Sequence, residues 1–498
     1  MGMRVNSGRR LELGGRLLRR SLAPCLVALM LLSAGATCAA GSSRVPIGFS
    51  RQEVAGALLL HKAPHSPGMG AIFAVMLAGA GDQRPHETHC AHVAEHMVFR
   101  NPLTGGRSLF ELVRQAGGRV NGWSGPLHTQ FEVAVPHELI PEALRWLVEA
   151  LFPLCLCEQA FREEIHARMV RDLEYMTTSR VAAAMNAFHE QVYRGTVYEQ
   201  RLFDVPVTTV TMDAVASFMA REYSPQRLMI VVVANVEEAT LVTELNAALN
   251  QVPVGPPPAR RQVSLAPPPI GHLRLPGFGK PLVLVGLAVD GIEEDDGPLL
   301  ALGLHLALSR LLAAPPPGLR PRRELTVALR LEGAFCLAVA FEGAATLTAA
   351  RLERLAEEAT HAVRNAAAEF AAGGPDEGQL LELLEAVERA SEAQAAPSGI
   401  PPYNEAYLAG VTLIPTYQAY SRAPDDFVSE PGAIGPTLAR YLPRATCTVL
   451  VVSAAAGMAP ALIIGAAVLA VAGVILGLAL GRWKRRTRRP AVSPPERE

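Results

Sequence analysis

Aromatic residues make up only 5% of the 498-residue chain, and its 46 basic side chains are matched by 47 acidic ones. Few rings means few stacking platforms for single strands, and a balanced charge creates no field that would gather a polyanion. A nucleic-acid partner is therefore not expected. The seven cysteines, at 25, 38, 90, 155, 157, 336 and 447, show no repeated C-x-x-C spacing. No cysteine-built structural zinc site is expected, and these residues read as small buried apolar groups.

Charge is missing altogether from two stretches near the ends. Six arginines in residues 1–20 precede an uncharged run from Ser21 to Thr37 and the small residues CAAGSS. This layout is that of a secretory signal with a cut near Cys38 to Gly41, or of an uncleaved N-terminal anchor. Met458 to Gly481 is uncharged and apolar, long enough to span a bilayer, and is followed by RWKRRTRR. The positive-inside rule keeps that basic tail in the cytoplasm. The expected address is a single-pass membrane protein, of the bacterial inner membrane type, with residues 42–456 on the periplasmic side.

Between these ends, 498 residues leave room for two ordinary cores. The proline clusters of VPVGPPPARRQVSLAPPPIG (252–271) cannot continue a helix or an inner strand and divide the remainder into two halves. The halves end alike, AREYSPQRLMIVVVA (220–234) and ARYLPRATCTVLVVS (439–453), and begin alike, with apolar strands IFAVML (72–77) and LVLVGL (282–287), each followed by an acidic turn and a helix. One architecture used twice is expected. Strands mixed with amphipathic helices, AATLTAARLERLAEEATHAVRNAAAEF and GQLLELLEAVERASEAQ among them, suggest an α+β fold with helices on one face of an antiparallel sheet.

The chemistry concentrates in HCAHVAEHMVF, where His92, Glu95 and His96 lie three and four residues apart and so share one helix face. Two imidazoles at that spacing can hold one zinc ion, and the carboxylate between them can take a proton from an attacking water. The order His-x-x-Glu-His is the inverted zinc-protease motif. The second half has only His272, His305 and His361, far apart, and is expected to form a wall or lid without an active site of its own.

By these features the chain resembles the insulinase and pitrilysin family, which includes the mitochondrial processing peptidases. The likeness covers about residues 46–455. HVAEHMVF is similar to the zinc helix, SLFELVRQAGGRVNGWSG (108–125) to the following helix and Gly-Gly-x-x-Asn turn, HTQFEVAVPHELIPEALRWLVEALF (128–152) to the next strand and helix, and REYSPQRLMIVVV to the closing Tyr-x-Pro-strand segment. The resemblance implies two homologous α/β-roll domains facing each other across a chamber, with zinc on the first. It implies peptides or unfolded segments as substrates, laid along an edge strand beside Asn121, and a homologous peptidase subunit as a possible partner. A catalytically inactive subunit of the same fold is the alternative. The expected layout is a signal or anchor (1–41), a catalytic zinc-binding domain (42–253), a linker (254–271), a second, non-catalytic domain (272–456), a transmembrane helix (457–481) and a basic tail (482–498).

The family's third zinc ligand is a glutamate about 76 residues beyond the second histidine, preceded seven residues earlier by another glutamate. Here Asp172 stands 76 residues beyond His96, position 165 is Ile, and Glu164 is one residue off register. On a regular helix FREEIHARMVRDLEYM, at 100° per residue, Asp172 falls within the arc of Phe161, Ile165, Met169, Leu173 and Met176, whereas Glu174 projects from the opposite side. Asp172, buried in that arc, is thus the expected ligand beside His92 and His96, with Glu95 as the base.

Overall fold

The computed structural model describes residues 48–454 apart from 379–401, 403–404, 407–430 and the short stretches 65–67, 154, 258–262, 266–269, 276–279, 294–295, 323–324, 332, 345–347 and 376–377. The signal or anchor, the transmembrane run, the basic tail and nearly all of GQLLELLEAVERASEAQ lie outside the described residues. Among the described residues, no helix is long and apolar enough to cross a membrane.

Uninterrupted apolar runs form the central strands, because both faces of such a strand are covered. The first sheet comprises β1 (Ser50–Val54), β2 (Ala57–Lys62), β3 (Met69–Met76), β4 (Arg119–Ser124), β5 (Thr129–Pro136) and β6 (Leu228–Val233), in the spatial order β1-β2-β6-β3-β5-β4. The second comprises β7 (Ile270–Leu275), β8 (Leu282–Asp290), β9 (Arg320–Pro321), β10 (Val327–Leu331), β11 (Ala334–Glu342) and β12 (Thr446–Ala454). Its order is β10-β11-β8-β12-β7, with the short β9 also paired to β11. Read from the opposite end, this is the path β2-β6-β3-β5-β4 repeated strand for strand. Each path opens with a parallel pair, β2 with β6 and β7 with β12, and continues antiparallel. The expectation of purely antiparallel sheets is corrected there: the first strand of each unit pairs with one that arrives only after a long crossover, which returns the chain in the same direction.

One face of the first sheet is covered by α1 (Cys90–Arg100), α2 (Leu109–Gln115), α3 (Ile140–Leu151), α4 (Glu158–Glu164) and α5 (Val170–Thr178). A π-helical turn, Ile165–Met169, joins α4 to α5. The chain continues through α6 (Arg180–Tyr193) to α7 (Met212–Glu222) and α8 (Glu238–Leu249), and the last two pack on the same face. In the second half α9 (Gly297–Ala313), α10 (Ala349–Gly373) and α11 (Ile434–Tyr441) cover one face of their sheet.

The opposite face of that sheet is covered by a helix from the other half, which corrects the expectation of helices on one face only. The small side chains Ala183, Ala184 and Ala187 of α6 let Phe188 and the helix backbone come down on Leu282, Leu284, Cys336 and Ala338. Gly286 makes room for the ring, since a Cβ there would stand 2.6 Å from Phe188 Cζ. Gln191 completes the contact, donating from Nε2 to Thr448 Oγ1 (2.9 Å) and to the Val449 carbonyl (2.8 Å).

Candidate metal centre

The loop before α1 is fixed by a buried ion pair. Glu87 is buried and accepts from Arg221 of α7 through both oxygens, at 2.8 and 2.6 Å. Burial opposes its charge, but Arg221 and the Arg84 backbone N–H outweigh that and hold the carboxyl below its ordinary range. His89 follows in the left-handed region (φ 72°), with Nε2 2.6 Å from the Val205 carbonyl. Helix α1 then starts, and its spacing divides its faces: Val93, Ala94, Met97 and Val98 enter the core, leaving His92, Glu95 and His96 on the side toward α5 and β4.

The ligand atoms of His92, Glu95 and His96 lie within 4.8 Å of one another. The two imidazole rings meet edge to face, centroids 5.0 Å apart. His96 Nδ1 is 2.7 Å from Glu164 Oε1. A carboxylate oxygen only accepts there, so Nδ1 carries the proton and the neutral ring keeps its lone pair on Nε2, which faces Asp172 Oδ2 at 3.6 Å. Burial pushes His92 down to about 3 and keeps it neutral, the form a metal ligand needs. For His96 burial also opposes charge, yet the bond to Glu164 and the nearby Glu95 and Asp172 carboxylates raise its pKa on balance. Glu95 is pushed up to about 7 by burial, and Asp172, Glu164 and Glu132 add to the rise against the opposing effect of His96.

This donor set fits zinc. Two imidazoles, one held neutral by burial and one with its tautomer set by Glu164, converge with the Glu95 and Asp172 carboxylates. Among the described residues it is the one group with metal-ligand spacing, and Cys90 takes no part, its thiol buried and pushed up to about 12.

The π turn determines which carboxylates reach the site. Such a turn takes up one residue more than an α-helical turn. Residues 164 and 172 therefore share a side of the helix as residues seven apart would on an unbroken one. Glu164, one residue out of register by counting, is buried against His96, and Asp172 lines the cleft with His92, Glu95 and His96. Glu174 is exposed and lies outside that lining. The choice of Asp172 over Glu174 agrees with this arrangement, but the burial argued for Asp172 does not hold, because its side chain is 52% exposed. A uniform 100° step does not hold through this segment, because the π turn at Ile165–Met169 interrupts the α-helix.

Strand β4 forms an edge of the first sheet beside this cluster. Gly122 is where the two meet, since a Cβ there would stand 2.5 Å from Glu95 Oε1 and 2.6 Å from Phe99 Cε2. The neighbouring Asn121 side chain follows the alternation of a strand to the other face. It donates from Nδ2 to Glu132 at 3.0 Å, so the structure places its backbone beside the cleft and its amide on a buried carboxylate. Two cavities, of about 330 and 260 Å³, open on either side and share Glu95, His96, Gly122 and Asp172 as walls. The sequence pattern marks His92, Glu95, His96 and Asp172 and leaves Glu164 one residue off register, a placement that needs the π turn; the wall residues Arg100, Trp123, Arg168 and Tyr175 carry no motif.

Residues 75–205 match the family Insulinase (Peptidase family M16), and residues 209–313 match the Peptidase M16 inactive domain. No curated protein sequence gives a significant match. Among solved structures, a peptidase M16 inactive domain of Pseudomonas fluorescens superposes with a TM-score of 0.63 at 13% identity, over 83% of this chain and 99% of its own. A protease of Helicobacter pylori gives 0.59 at 14% identity, over 81% and 99% of the two chains. An M16-like peptidase of Alicyclobacillus acidocaldarius gives 0.57 at 13%, over 82% and 98%. These likenesses show a shared fold, and the two sequence matches place residues 75–313 in the insulinase family, peptidase family M16.

Proposed function

We propose that the chain is a zinc-dependent metalloendopeptidase acting on extended peptides or unfolded protein segments. The observation that carries this reading is the convergence of His92, Glu95 and His96, ligand atoms within 4.8 Å, beside an open edge strand. His92, His96 and Asp172 would hold the metal, and Glu164 orients His96 through its Nδ1 proton. When bound, zinc supplies a Lewis acid at the scissile carbonyl and lowers the pKa of the attacking water. Glu95 takes the proton from that water and returns it to the leaving amine, a role suited to a carboxyl whose burial holds it near 7. Strand β4 offers its free backbone edge to the substrate, a mode that reads the peptide's main chain before its side chains. The uncharged run at 458–481, followed by basic residues, would anchor the chain with this site outside the cytoplasm.

Full-length protein should contain close to one zinc per chain and cut a casein-like substrate, and Glu95→Gln should keep the metal while losing the cutting. The second reading is a non-catalytic subunit of the same fold, favoured by the match of residues 209–313 to a domain described as inactive. Zinc at full occupancy with no cleavage by the wild-type chain alone would decide for it.

A further inference from the structure

The two cavities that meet at Glu95, His96, Gly122 and Asp172 differ in chemistry. The larger is lined by Trp123, Tyr175 and Leu202, with Trp123 45% and Tyr175 65% exposed in a chain poor in aromatics. The smaller is lined by Arg100, Phe110 and Arg168. The Arg100 guanidinium stacks 3.8 Å from the centre of the Phe110 ring, which fixes the orientation of its charge. A single carboxylate, Glu164, stands between the two arginines, 3.7 Å from Arg100 Nε and 3.6 Å from Arg168 Nε, and it is already engaged by His96. Apart from Asp172, read as a metal ligand, and Glu95, read as the base, this cavity sets two guanidinium groups against one carboxylate. Arg168, with its side chain 41% exposed against 24% for Arg100, is the more open of the two to an incoming carboxylate.

We propose that the cleft is charge-asymmetric, with Arg100 and Arg168 forming a subsite for an acidic side chain on one side of the scissile bond and Trp123, Tyr175 and Leu202 forming one for a large apolar side chain on the other. A peptide paired with β4 passes both, because the cationic cavity lies along Val120 to Gly122 and the aromatic one along Gly122 to Ser124. The inference rests on the peptidase reading for where the peptide lies, and it adds a substrate class that neither the fold nor the zinc motif carries.

The test measures binding, so that it stands apart from catalysis. Full-length zinc-loaded protein carrying Glu95→Gln is titrated with fluorescein-labelled peptides in which one position at a time is Asp, Ala or Lys, and anisotropy is read. At one position Asp should bind about ten-fold more tightly than Lys at low salt, with the ratio shrinking as salt rises. Arg168→Glu should reverse that order and Arg168→Gln should erase it, and both side chains lie far enough out to leave folding intact. Equal binding of Asp and Lys peptides, or a ratio untouched by Arg168→Glu, would overturn the subsite. Failure to bind any peptide would overturn it as well. A clear Asp preference in a protein whose wild type cuts nothing would leave the subsite standing and remove only the peptidase reading.

Discussion

Asp172 and Glu174 are two carboxylates a short step apart on one helix, and only the first faces the histidines. Asp172→Ala should therefore lower zinc affinity and any activity together, whereas Glu174→Ala should leave both nearly unchanged, read by competition with a chromophoric chelator. Glu164→Gln keeps the shape but weakens the acceptor for His96 Nδ1, and it should cost roughly 10–100-fold in metal affinity. Retention of full affinity by Asp172→Ala would remove it from the ligand set. At this scale much was legible in the sequence. His92, Glu95 and His96 lie within about one helical turn, where spacing alone fixes geometry, and Asp172 was found by counting. Glu164 was seen but could not be placed, because its position depends on a change of helical pitch that no side-chain pattern announces. Nothing in the sequence marks Gly122 as the point where Glu95 meets the edge strand.

Among the elements, the joint between α4 and α5 is the least ordinary. The π turn restores the relation between Glu164 and Asp172 that a seven-residue spacing would give on a plain helix. Deleting Ala167, whose side chain is exposed within that turn, should convert the segment to continuous α-helix and keep both carboxylates facing His96. Metal affinity should stay within a few-fold of wild type. Adding a second alanine after Ala167 should turn Asp172 away by about 100° and abolish tight binding. The reverse pair of outcomes would show that the turn has no part in the register. Strand positions were easier to read than this joint, since runs such as LMIVVV and LVLVGL declare a buried strand by composition. Their partners were not readable: the parallel pairing of β2 with β6 spans most of a half, and nothing local specifies it.

At the scale of the whole molecule, the halves are joined by charge as well as by packing. Glu342 of β11 accepts from Lys280 (2.8 Å), from Arg322 and, across the halves, from Arg180 of α6 (3.1 Å). The Lys280 bond leads in holding its carboxyl down at about 2, with Arg322 and Arg180 adding to the effect against the cost of burial. Because the folded value lies below the ordinary 4.5, the stabilisation is present above that pH and is lost as the pH falls from about 4.5 toward 2. Glu342→Gln should lower stability by on the order of 2 kcal/mol at neutral pH and flatten this acid limb, measured by urea unfolding as a function of pH. An unchanged acid limb would show that the cluster adds nothing. The repeat of one architecture was readable from matching ends, but the lodging of α6 in the other half was not, for its alanine-rich stripe is what any packed helix displays. That lodging means that the proline-rich connection is not what holds the molecule together. A polypeptide cut there would keep its two pieces associated through Phe188 and Gln191, so the same fold could be encoded as two separate chains, the first lending a helix to the second.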